Sequence, residues 1–137
     1  REFGFIIIGA GKNKPDFSMF DNVYDFGAVY DTNVKRELFA IADIYFQPGW
    51  VGLSIVEAMA YGLPVFTFRR SECVEYSYIR NSQNGMIFED MDECVSVISG
   101  IGQSEIRRLG ENAKELVRMH LMPAQMAEKA YSVVEQL

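Results

Sequence analysis

Short β-rich runs alternate with longer helical patterns along this chain, and that alternation limits its fold more than any other feature. Phe3 to Ile8 is a continuous apolar run closed by Gly9-Ala10-Gly11, which predicts a strand buried on both faces. Val23 to Phe26 predicts a second strand ending at Gly27. Asp31, Thr32 and Asn33 then offer N-caps for a helix whose apolar residues Val34, Leu38, Ile41 and Ala42 fall at i, i+4, i+7 and i+8. Ile44-Tyr45-Phe46 predicts a third strand, ended by Pro48-Gly49. Leu53 to Tyr61 predicts a helix with Ile55, Val56, Met59 and Ala60 inward, stopped by Gly62 and Pro64. Val65 to Phe68 and Met86 to Phe88 supply two more strands. The stripes Cys94, Val97, Ile98, Ile101 and Ile106, Leu109, Ala113, Leu116, Val117 predict two helices. A last helix follows Pro123, with Met126, Ala130, Val133 and Val134 inward. The pattern is that of an α/β fold: a doubly wound parallel sheet with helices on both faces.

A chain of 137 residues fits one domain on a prior of roughly 100–200 residues per domain. Its 13 Lys+Arg and 19 Asp+Glu give a net charge of −6, which is poor for a nucleic-acid binder that must neutralise phosphates. Arg69-Arg70 and Arg107-Arg108 are local basic pairs within that acidic whole. Cys73 and Cys94 lie far apart without metal-ligand spacing, which argues against a disulfide scaffold and a zinc site and points to a reduced cytoplasmic domain. The Phe3–Ile8 run is far shorter than the roughly 20 residues of a spanning helix, so no transmembrane segment is expected. Arg1-Glu2 leads at once into a strand with no initiator Met, which reads as no signal peptide and as a fragment of a larger protein.

Parallel sheets of this kind bind ligands beyond the carboxyl ends of their strands, so residues 9–16, 27–33, 47–54 and 68–76 are the places to search. Gly9-Ala10-Gly11-Lys12 invites a phosphate-loop reading but fails on spacing. A Walker loop needs Gly where Ile6 stands and Ser/Thr where Asn13 stands, and the third Gly of a dinucleotide fingerprint falls on Lys14. The segment reads as a tight turn. Gln47 to Val65 is richer. A strand runs into Gly49 and Gly52 and then straight into a helix, whose orphan N–H groups and positive dipole end suit a diphosphate. Gly52 permits close approach of a ligand to the backbone.

Glu57, about one turn into that helix, could accept hydrogen bonds from two ribose hydroxyls. It equally fits the S-x-x-E capping box Ser54-Ile55-Val56-Glu57, and on chemistry alone both readings stand. Glu75 opens a short helix before Tyr76 or faces the same crevice. Trp50 is either a lid or loop packing. His120 reads as a surface or half-buried residue, and Met119, Met122 and Met126 as core filler. Glu105, Glu111, Glu115 and Glu128 read as a solvated face, and Tyr76 and Tyr78 as a packed corner.

The stretch from Asn22 to Glu89 resembles the donor-binding half of retaining glycosyltransferases of the GT-B fold, family 4. The pieces that carry it come in order. They are Asn22-Val23 through Phe26-Gly27, Ala42-Asp43-Ile44 with Pro48, Gly52-Leu53-Ser54-Ile55-Val56-Glu57-Ala58-Met59-Ala60-Tyr61-Gly62-Leu63-Pro64-Val65, Glu75, and Asn84-Gly85-Met86-Ile87-Phe88. The resemblance implies a Rossmann-like domain forming one half of a GT-B fold. It implies that backbone groups of Val51, Gly52, Leu53 and Ser54 contact the donor's diphosphate and sugar, and that Glu57 holds the ribose. Val29 and Asp31 would lie near the nucleobase, and Glu75 at the site edge.

It further implies a UDP- or GDP-linked sugar as donor, no cofactor and no metal, and transfer with retention, in surface-polysaccharide biosynthesis. The parent would be cytoplasmic and peripheral at the inner membrane face. The expected partner is a missing N-terminal acceptor domain, which would precede residue 1 together with the family's basic phosphate ligands. One position departs from the pattern. The family's two glutamates are separated by seven intervening residues, so the partner of Glu57 would fall at position 49, where this chain has Gly49, and the resemblance assigns no catalytic residue. Two alternatives remain open at this point: a non-catalytic α/β nucleotide- or phosphate-binding regulatory module, and an inactive transferase homologue. A receiver-like module fits poorly, because Asp43 precedes its strand. A flavodoxin-like one lacks a Ser/Thr-rich loop after the first strand.

Overall fold

A computed structural model describes residues 3–70 and 73–135, which fall in two compact units, Arg1–Ala42 and Asp43–Leu137. In the first, β1 (Phe5–Ile7) and β2 (Val23–Asp25) pair in parallel with Phe5 opposite Val23 and Ile7 opposite Asp25. The pairing continues past both strands, where Gly9 N–H donates to the Gly27 carbonyl at 2.7 Å. Gly9 holds φ +139 and Gly27 φ +64, conformations that favour glycine. Lys14 fastens this turn: its ammonium donates to the Gly9 carbonyl at 2.7 Å and pairs with the Asp25 carboxylate. The glycine-lysine segment is therefore a cross-linked turn, with the lysine used inside the fold. α1 (Thr32–Ile41) begins on Asp31, whose carboxylate accepts from Asn33 N–H at 2.8 Å and Val34 N–H at 3.2 Å. Leu38 and Phe39 are buried, but Val34 and Ile41 are exposed. β1 is not enclosed on both faces as its apolar run predicts, for Phe5 is 48% exposed. An apolar run specifies a strand; what covers it depends on neighbours, and a two-stranded sheet supplies few.

The second unit is built on a three-stranded parallel sheet, β3 (Tyr45–Gln47), β4 (Val65–Phe68) and β5 (Gly85–Phe88), with β4 central. Tyr45 lies opposite Val65 and Val65 opposite Gly85. Around the sheet stand α2 (Ser54–Ala60), a 3₁₀ turn (Val74–Tyr78), α3 (Met91–Gly100), α4 (Gln103–Leu116), a π-helical segment (Val117–Leu121) and α5 (Pro123–Val134). Successive strand residues point to opposite faces, and each face has its own core. Val65 and Ile87 pack with Val51, Ile55 and Met59 of the β3–α2 connection and with Ala113 and Val117. Phe66 and Phe88 pack with Cys94, Ile101, Ile106 and Leu109. Phe66 and Phe88 meet edge to face at 5.6 Å between centroids. The sheet of this unit is thus covered on both sides, as the alternating pattern predicts.

α2 ends in a Schellman turn. Gly62, at φ +81, donates to the Met59 carbonyl at 2.9 Å and Leu63 to the Ala58 carbonyl at 3.1 Å. α4 crosses this turn so closely that a Cβ on Gly110 would lie 2.0 Å from the Gly62 carbonyl oxygen. Asn84 is buried with both amide ends used, accepting from Arg80 N–H at 2.7 Å and donating to the Tyr78 carbonyl at 2.9 Å. The predicted inward face of α5 is not inward: Met126, Val133 and Val134 are exposed, Val134 by 66%. Met119 and Met122 are exposed too, so these methionines are not core filler. Periodicity marks an apolar face without naming its cover, and among the described residues nothing buries this one.

Candidate functional site

The carboxyl ends of β3 and β4 open onto the two connections that carry most of the predicted site. The first runs from Pro48 to Leu53 and is held at both ends. Gln47, the last residue of β3, donates its side-chain amide to the Trp50 carbonyl at 3.0 Å and accepts from the Tyr45 hydroxyl at 3.0 Å. Its own carbonyl accepts from the buried Thr67 hydroxyl of β4 at 2.7 Å. Val51, only 4% exposed, plugs the turn into the core beside Ile55 and Met59. With Val51 inward and the Trp50 carbonyl tied back, Trp50 is 60% exposed, which excludes the loop-packing reading of its ring.

Gly49 and Gly52 meet nothing: a Cβ on either would have no heavy atom within 4 Å, and neither holds a positive φ. Neither packing nor backbone strain therefore requires glycine there, in contrast to Gly110. Open space beside the backbone is what a ligand lying along this turn would use.

α2 starts one residue earlier than the capping-box reading requires. Leu53 is the N-cap, with helical φ −57 and ψ −17, and no side chain caps the turn. The first helical bonds are donated by Ile55 to Gly52 at 3.1 Å and by Val56 to Leu53 at 3.0 Å. The N–H groups ahead of Ile55 belong to the unbonded start of the helix. Ser54-Ile55-Val56-Glu57 is thus no capping box. Glu57 is half-buried in the first turn, where the helix dipole favours its charge.

Glu75 stands in the first turn of the 3₁₀ segment after β4, half-buried. Cys73, Tyr76 and Tyr78 around it pack on the same core cluster as Val51, Ile55 and Val56 around Glu57, so the two connections converge. The Tyr76 hydroxyl is buried without a hydrogen-bond partner among the described residues. Of the 68–76 connection, residues 71 and 72 lie outside the described residues. Val29 and Asp31 belong to the first unit, Val29 half-buried and Asp31 engaged as the α1 cap. His120 is exposed and lines a groove of about 340 Å³ with Arg80, Asn84, Asn112 and Glu115, before the start of β5 and away from the strands' carboxyl ends.

Sequence reasoning missed Gln47 as the latch of the turn and Arg70 as its neighbour, whose guanidinium lies 3.5 Å from the Pro48 carbonyl. Only the strand-end position of Gln47 hinted at its role. Among the described residues no group of three or more His, Cys, Asp or Glu could hold a metal ion, and no helix is long and apolar enough to cross a membrane.

Parallel strands with an open glycine-bearing turn leading into a helix at their carboxyl edge define a Rossmann-like α/β class. The chain belongs to the glycosyl transferases group 1 family, whose model matches residues 1–104. Its fold is that of solved GT-B glycosyltransferases. TarM matches 94% of this chain with a TM-score of 0.75 at 19% identity, over 28% of its own length. Sucrose-phosphate synthase from Thermosynechococcus elongatus matches 96% with a TM-score of 0.75 at 19% identity, over 37% of its length. Anabaena Alr3699/HepE in complex with UDP matches 98% with a TM-score of 0.73 at 17% identity, over 41% of its length. The chain thus spans less than half of each of these proteins. Among curated proteins, none matches the sequence significantly.

Proposed function

We propose that residues 1–137 act as one nucleotide-sugar-binding domain of a retaining hexosyltransferase. The parent enzyme would transfer a sugar from a UDP- or GDP-linked donor to an acceptor, in surface-polysaccharide biosynthesis on the cytoplasmic side of the membrane. The observation that carries this reading is the turn at Gly49–Gly52, open along its backbone and leading into α2. Backbone groups of Val51, Gly52, Leu53 and Ser54 would face the diphosphate and sugar, with the fixed dipole of α2 opposing the charge that builds on the departing diphosphate. Glu57 would take the ribose hydroxyls from its place in the first turn of α2. Val29 and Asp31 would lie on the nucleobase side and Glu75 at the site edge. Family membership supports the reading, as do the complexes of HepE with UDP and UDP-glucose. No cofactor or metal is assigned a part. The exposed apolar residues of α5, among them Met126, Val133 and Val134, suit contact with a further domain of the same protein.

An NMR titration with UDP and with GDP tests the site. Amides of residues 52–57 shift, and Glu57→Gln weakens nucleotide binding by roughly threefold to tenfold, with little change in melting temperature. No shift at millimolar nucleotide sinks the proposal. Equal loss of melting temperature with unchanged affinity returns Glu57 to a purely structural role. Gly49, which leaves position 49 without a carboxylate, favours a second reading, a homologue that binds donor without transferring it. Assay of the intact parent with a panel of nucleotide sugars separates the two.

A further inference from the structure

The connection after β4 begins with two adjacent arginines that the fold uses differently. Arg69 turns to the β5 side: its N–H donates to the Phe88 carbonyl at 2.8 Å and its guanidinium pairs with Glu89. Arg70 turns to the β3 side, where its guanidinium lies 3.5 Å from the Pro48 carbonyl, the first residue of the open turn. That distance is the outer limit of a hydrogen bond, so the contact places the side chain without holding it. Arg70 is exposed and, among the described residues, in no ion pair. The chain is otherwise acidic, at −6, and no residue of the turn from Pro48 to Leu53 carries a positive charge.

We infer that Arg70 is a substrate-contacting residue, whose guanidinium takes the diphosphate of the nucleotide donor at the Pro48–Leu53 turn. The inference rests on the donor-binding reading of that turn. Backbone N–H groups and a forked cation then approach one anion from two connections, after β3 and after β4. A guanidinium suits this because it presents parallel N–H donors to two phosphate oxygens, and the weak Pro48 contact is given up for stronger charge-assisted bonds.

The test is calorimetric titration of the 137-residue chain and of Arg70→Ala, Arg70→Lys and Arg69→Ala. The ligands are UDP, GDP and the phosphate-free nucleosides uridine and guanosine. Arg70→Ala weakens diphosphate binding by about tenfold and leaves nucleoside binding unchanged. Arg70→Lys falls between it and the wild type, keeping charge without the fork. Arg69→Ala removes the same unit of charge one residue away and changes diphosphate affinity by less than about twofold, as expected of screened surface charge. The inference is overturned if Arg70→Ala binds diphosphates as the wild type does, if nucleoside affinity falls in parallel, or if Arg69→Ala loses as much. A wild-type chain that binds neither diphosphate overturns the donor-binding reading and this inference with it.

Discussion

Gly52 and Gly110 are the same residue in opposite surroundings, and one substitution separates their roles. A Cβ at Gly52 meets no atom within 4 Å, whereas one at Gly110 runs into the Gly62 carbonyl at 2.0 Å, a backbone atom that cannot swing away. Gly110→Ala is expected to destabilise by about 2 kcal/mol or more, the overpacking cost exceeding the roughly 1 kcal/mol that alanine gains in a helix. Gly52→Ala is expected to leave stability within about 1 kcal/mol and to weaken nucleotide binding, because the methyl occupies the space a ligand would use. Urea denaturation read beside a UDP titration checks both, and a Gly52→Ala variant that binds UDP unchanged removes the argument from open space. Sequence alone could not make this distinction. Gly52 and Gly110 both sit beside helix-forming residues, and which one touches carbonyl oxygen depends on α4 crossing the end of α2, a contact nearly fifty positions apart in the chain.

Elements were more legible than their surroundings. β4 runs over Val65–Phe68 as its apolar pattern predicts, and Glu75 does open a short helical turn. Two failures share a cause. One of the two readings of Ser54–Glu57 is a capping box, but the N-cap of α2 is Leu53, and the α5 stripe predicts burial but stands in solvent. In both cases local pattern was sound and the deciding neighbour lay elsewhere: Gln47 and Val51 fix where the turn before α2 lies, and no described residue covers α5. The α3 stripe faces inward as its spacing predicts, and it yields a chemical contrast. Cys94 is sealed into the core with Phe66 and Phe88, and burial pushes its thiol pKa up, the nearby Glu93 adding to the effect. Cys73 is only half-buried. At pH 8 a thiol reagent is expected to modify one equivalent quickly, at Cys73, and the second only when denaturant unfolds the sheet. Two fast equivalents would show that the α3 face opens without global unfolding.

At the scale of the whole molecule the net charge of −6 and the arrangement of ion pairs act in opposite directions on acid stability. Protonating carboxylates as pH falls first relieves the general repulsion of an acidic chain. Several carboxyls resist that protonation because the folded state holds their anions. The Lys14 and Gly27 hydrogen bonds lower the Asp25 pKa, and bidentate Arg108 and Arg118 lower those of Glu105 and Glu115. The Ser18 N–H does the same for Asp16. A carboxyl whose folded pKa lies below its unfolded one contributes stability that is complete above the unfolded value and is lost as pH falls through the folded one. The melting temperature is therefore expected to hold or rise slightly from pH 7 to about pH 5, then to fall below about pH 4, beneath the ordinary carboxylate range. All four groups are solvent-exposed, so each contributes little and salt screens it. Repeating the series at high salt should flatten the acid limb. Glu115→Gln should flatten it in part by removing one of the four. An acid limb as steep in high salt as in low would assign the loss to the cores on the two faces of the sheet rather than to these surface anions.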